Sequence, residues 1–161
     1  MLRIADLSDD SVVSLLQKYG LTIEAIPDGQ TIPGSFWGEP EAGIVGNHAF
    51  VRGDTPVHSL LHETCHVVCM TPARRTDLKG DAGGDDLEEC AVCYLQILLA
   101  DELAGAGKDL LMQDMDDWGY SFRLGSARRW FDEDAADAKE WLLIQGLIAD
   151  DGRPTFQLRQ S

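Results

Sequence analysis

The sequence predicts an α+β domain. Short alternating segments bounded by turn residues fill its first third, helical apolar spacing fills the remainder, and the two patterns do not interleave. With 161 residues the chain suits one domain spanning 1–161. A chain of that size buries roughly 70% of its unfolded surface, so neither a disulfide nor a metal is needed merely to fold it.

Val12, Leu15, Leu16 and Tyr19 recur at helical spacing, with Ser8 placed to cap and Gly20 to stop a helix over 8–19. Residues 21–26 alternate as a half-buried strand, and Pro27-Asp28-Gly29 turns the chain. Residues 31–37 read as a second short strand. Ile44-Val45 and residues 48–52 flank Gly46-Asn47, a two-residue hairpin signal. Thr55 as N-cap and Pro56 as the first helical residue then open a helix over 56–70. Residues 71–85 are polar and glycine-rich, the composition of a mobile surface loop. A second long helix is expected over 86–103, a short one over 108–117 and an interrupted one over 126–148. A small strand over 155–158 is expected to close the domain.

The formal net charge of −15 repels phosphate backbones and disfavours direct nucleic-acid binding, while drawing in cations and basic peptides. The first ten residues lack the basic start and apolar run of a signal peptide, and no stretch has the length of a membrane span. A cytoplasmic protein is the expectation, with Cys65, Cys69, Cys90 and Cys93 as thiols.

The chemistry concentrates in His62-Glu63-Thr64-Cys65-His66. Residues four apart share one helical face, so two imidazoles at this spacing can converge on one ion, zinc above all. Glu63 is rotated off that line, where it can serve as general base without ligating. Random placement of 4 histidines in this chain would produce the motif in roughly 0.5% of cases, which makes coincidence a poor account. The remaining histidines, His48 and His58, precede the motif, so a carboxylate or thiolate must complete the site. Glu88 shares a helical face with the apolar Ala91, Val92 and Leu95, which should pack on the metal helix and direct Glu88 inward. Glu89 is the alternative, because Asp85-x-x-Glu88 and Asp86-x-x-Glu89 both have the form of a capping box. Helical spacing turns Cys90 and Cys93 away from Glu88 and argues for packed thiols over a four-thiolate site. His58, Tyr120 and His48 are candidates to stabilise a developing oxyanion.

His62-Glu63-x-x-His66 followed by Glu88-x-x-Ala91-x-x-Tyr94-x-x-x-Leu98-Leu99 resembles the small gluzincins of the ImmA/IrrE type over residues 42–99. Cys65 stands where that family usually has glycine, and Val92 where many larger gluzincins have aspartate. The resemblance implies a zincin-like fold, a small antiparallel or mixed sheet packed on the metal helix and on a second, ligand-bearing helix. It implies zinc held by His62, His66 and Glu88, with Glu63 as catalytic acid/base. It also implies peptide-bond hydrolysis of a protein or peptide substrate, in some members a repressor, with the hairpin over 44–52 as an edge to align it. The rival expectation is a zinc-binding regulatory module with little or no turnover.

Overall fold

The computed structural model describes residues 1–7, 10–35, 38–78 and 83–161. They form an α+β structure in which a small mixed sheet and a set of helices enclose one central helix. Helix α1 (Ser11–Lys18) buries Val12, Leu15 and Leu16 and ends at Tyr19 and Gly20. Its expected cap, Ser8, lies outside the described residues. Strand β1 (Thr22–Ile26) runs parallel to β3 (His48–Arg52), with Thr22 opposite His48. Strand β2 (Gly43–Val45) pairs antiparallel with β3 across the Gly46-Asn47 turn. The strand order β1-β3-β2 leaves β2 on an edge.

Residues 31–35 form no strand. Pro33 and Gly34 turn the chain back, Ile32 N donates to Glu39 Oε1 at 3.0 Å, and the segment presses on β2. A Cβ placed on Gly43 would lie 1.8 Å from the Pro33 carbonyl oxygen, so this crossing depends on the missing side chain. Trp37, the end of the expected strand, is outside the described residues.

Helix α2 (Val57–Cys69) carries the motif, and every residue on it except His62 is buried. The expected cap shifts by one position. Pro56 precedes the first helical residue, and Thr55 Oγ1 accepts from Arg52 N at 3.0 Å. The orphan amide at the helix start is met by the chain's first residues instead, Val57 N donating to the Leu2 carbonyl at 3.0 Å.

The segment after α2 is not wholly irregular, since Thr71 caps a short helix, α3 (Pro72–Thr76). Helix α4 (Asp86–Leu99) begins at the cap Asp85 and hands over to a 3-10 turn, Ala100–Glu102. Helices α5 (Lys108–Trp118), α6 (Ala127–Glu133) and α7 (Ala136–Ile144) follow. Residues 155–158 add no strand; Ile148 and Pro154 make only an isolated bridge. The sheet covers one side of α2, α4 packs along another, and α7 backs α4. Leu60, Leu61, Val68, Leu95 and Leu99 are fully buried in the α2–α4 seam region. Among the described residues no helix is long and apolar enough to cross a membrane.

The crossing at Gly43 makes a direct prediction. Gly43→Ala forces backbone displacement and should destabilise by about 1–3 kcal/mol, the usual cost of overpacking. A urea denaturation midpoint equal to wild type would show that the 33–35 segment is not held against β2.

Candidate metal centre

Helix α2 brings His62 and His66 together as the four-residue spacing requires. Their Nε2 atoms are 3.1 Å apart and their rings stand nearly perpendicular. Glu89 of α4 completes the group, with Oε1 3.0 Å from His62 Nε2 and Oε2 3.1 Å from His66 Nε2. These three residues form a cluster able to hold a metal ion.

Gln96 sets the proton of His62. Its Nε2 donates to the His58 carbonyl at 3.0 Å, which turns Oε1 toward His62 Nδ1 at 2.9 Å. A carboxamide oxygen only accepts, so Nδ1 carries the proton and Nε2 presents a lone pair. That lone pair faces a Glu89 carboxylate oxygen and the second imidazole. Acceptors converging in this way need a cation between them, either a proton or a metal ion. Burial alone would raise the Glu89 carboxyl, but the contacts from His62 and His66 outweigh it and hold the group well below the usual range. Two imidazole nitrogens and one carboxylate are the donor set of catalytic zinc sites, which keep a position for water. The residues present therefore fit the group that the motif implies.

Glu88, expected to point at the imidazoles, points elsewhere. Arg74 grips it with both terminal nitrogens at 2.8 Å, and Arg159 Nη1 lies 3.1 Å from Oε1. Arg159 is itself anchored on the end of α2, donating from N to the Val68 carbonyl and from Nη1 to the Cys69 carbonyl. Gly84, at φ 111°, makes room for this carboxylate, since a Cβ there would lie 2.1 Å from Glu88 Oε2. Asp85 accepts from Glu88 N at 2.8 Å and so fixes the phase of α4 at its first turn. With that phase set, one residue's rotation of about 100° separates a carboxylate facing two arginines from one facing two histidines. The same phase brings Cys93, one turn beyond Glu89, beside His62, where spacing from Glu88 had placed it facing away.

Glu63 is buried and makes no hydrogen bond to any described residue. Burial raises its carboxyl, against the pull of the neighbouring His62 and His66. His58, one turn before His62, is also buried, and burial pushes its imidazole down to about 4. Its Nδ1 lies 3.1 Å from the Tyr120 hydroxyl, whose ring stands edge-on to both His58 and His62. Burial also raises the Tyr120 phenol, which keeps it a donor at neutral pH. Trp118 packs on His58 and donates from Nε1 to Glu41 Oε1 at 2.8 Å, while Glu41 Oε2 accepts from Ser59 Oγ. His48 does not join; it pairs with Glu24 on the sheet at 3.2 Å.

His58 and Tyr120 thus lie beside His62, and Glu89 stands where Glu88 was expected. Gln96, Arg74 and Arg159 are the residues that sequence reasoning passed over. Gln96 did leave a signal, as the one polar residue in the apolar run Leu95-Gln96-Ile97-Leu98. The cysteines are free thiols, with Cys65, Cys69 and Cys93 buried and Cys90 partly so. No protein-family model, curated protein or solved structure matches the chain.

The two glutamates should separate in a paired measurement. Glu89→Ala should lose most divalent-metal affinity with little change in thermal stability. Glu88→Ala should lose stability, because it leaves Arg74 and Arg159 facing an empty buried position. A greater loss of metal affinity for Glu88→Ala, read by titration, would contradict this assignment. In the same titration, Gln96→Leu should weaken binding by about 10–100-fold, the usual effect of removing a partner that orients a ligand histidine.

Proposed function

We propose that this chain is a zinc-dependent peptidase of the small gluzincin kind, resembling the ImmA/IrrE type, with Glu89 in place of Glu88 in the ligand set. The observation that carries the reading is Glu63, a residue only 6% exposed whose carboxyl is raised by burial and makes no hydrogen bond to any described residue, beside three convergent ligands. A purely structural metal site has no use for such a group.

His62, His66 and Glu89 would hold the ion. A zinc ion held there would supply Lewis-acid chemistry, polarising a carbonyl and making water more acidic. Glu63 takes the proton released as water attacks and passes it to the leaving amine, a task suited to a carboxyl raised by burial. Tyr120 offers a phenolic proton to the oxygen that gains charge at the carbonyl, with His58 holding its hydroxyl in place. Gln96 keeps His62 Nδ1 protonated and its Nε2 free. Strand β2 lies at an edge of the sheet, the kind of position along which an extended peptide can align. The net charge of −15 favours neutral or basic protein segments as substrates, a repressor-like protein among them.

Zinc-loaded protein should contain about one metal per chain, and His62→Ala or His66→Ala should abolish it. Glu63→Gln should retain zinc and lose on the order of 10²–10⁴-fold in peptide cleavage. Elemental analysis and a mass-spectrometric screen on a broad peptide library check both. Equal cleavage by wild type and Glu63→Gln would remove Glu63 from the mechanism. Full zinc occupancy with no cleavage would favour the regulatory-module reading.

A further inference from the structure

Beyond Glu89 the site opens into a cavity of about 800 Å³ that the proposed chemistry does not use. Its wall is a run of three aromatic residues. Tyr120 stacks on Phe122 at 6.2 Å between ring centroids, and Phe122 meets Trp130 at 5.1 Å. The facing side is the outer surface of α4, from which Leu87, Cys90 and Cys93 project. Glu89 and Tyr120 belong to the cavity lining and to the metal cluster or its immediate surroundings, so the two spaces are continuous.

The cavity is chemically one-sided. Among the described residues the one cation on its lining, Arg123, pairs with Asp134 at 2.8 Å and lies 3.9 Å from Asp137. Besides the carboxylates of Asp86, Glu89 and Asp137 and the Ser121 hydroxyl, the lining offers aromatic faces, thiols and a leucine, and among the described residues no uncommitted basic group is there to receive an acidic side chain. Its volume lies within the ~300–1,000 Å³ range of ligand pockets and exceeds what a small side chain can fill.

We infer that this cavity is the specificity pocket of the proposed peptidase, and that it receives a large apolar side chain, aromatic or long aliphatic, from a residue flanking the scissile bond. The inference rests on the peptidase reading and names its substrate class. Continuity through Glu89 and Tyr120 places that side chain next to the reacting carbonyl and not at a remote subsite. Desolvating the side chain against Phe122 and Trp130 supplies binding energy, which can hold the scissile bond in register with Glu63.

Two measurements test this, one with turnover and one without. Products from a broad peptide library should show a large apolar residue on one side of the cut. Cys90→Phe, a substitution at a partly exposed position that fills the cavity, should shift relative kcat/KM toward small residues by about tenfold or more. Leu87→Ala, at a 38% exposed position, provides a second variant that widens the pocket and should favour the bulkiest side chains. Cleavage with no such preference, or a preference unmoved by both variants, overturns the pocket and leaves the peptidase reading standing.

The second measurement uses zinc-loaded Glu63→Gln protein. Cys90 is the one cysteine that is not buried, so its alkylation reports occupancy of the cavity. A phenylalanine- or leucine-containing peptide should slow that alkylation relative to the same peptide with glycine, read by intact-mass spectrometry. Equal rates overturn the inference. If the wild type cuts nothing, the peptidase reading falls, and the alkylation rates alone decide whether the cavity binds apolar side chains.

Discussion

The burial of α2 on every side is the constraint from which the other features follow. A helix in that position must be covered by the sheet, by α4 and by α5, and each polar group on it must find a partner inside the protein. Ser59 does so through Glu41 and the Ala42 amide, and Thr64 through the Leu60 carbonyl. His62 does so through Gln96 on α4. His58 and His66 each leave one buried ring nitrogen without a partner among the described residues. Unmet polar groups gathered on one helix, around one convergence point, are a cost that a packed core does not ordinarily carry.

The α2–α4 contact also sorts charge. Glu88 and Glu89 are adjacent in sequence yet face opposite kinds of neighbour, two arginines and two histidines. The arginines come from α3 and from near the end of the chain, so three distant segments meet at a single carboxylate. With Glu88 held by the arginines, Glu89 is, among the described residues, the carboxylate that lies directly on both imidazoles. The candidate centre thus depends on an ion pair that makes no contact with it, through the phase of one helix.

Much of this was legible from the residues. The helical spacing of His62 and His66, the hairpin around Gly46-Asn47, and the long helices near 57–69 and 86–99 follow from local rules, because spacing and turn chemistry act over a few residues. The segment over 31–37 misled because Pro33 and Gly34 sit in an otherwise strand-like stretch, and their conformations are stabilised by a crossing over β2 that the segment itself does not encode. Thr55 misled for a similar reason. Its hydroxyl had a nearer donor in Arg52, and the helix start was met by a carbonyl from the first residues of the chain.

The choice between Glu88 and Glu89 marks the boundary most clearly. By itself the sequence determined that a carboxylate or a thiolate would complete the histidine pair, because no downstream histidine exists, and the apolar side of the second long helix pointed to Glu88, with Glu89 as the alternative, as the carboxylate that faces it. Which of two neighbouring carboxylates does so turned on the position of the cap and on two arginines 14 and 71 residues away from Glu88. Periodicity reports only the face a residue shares with its own helix. The charge waiting opposite that face is decided by segments distant in sequence, and only the folded chain brings them together.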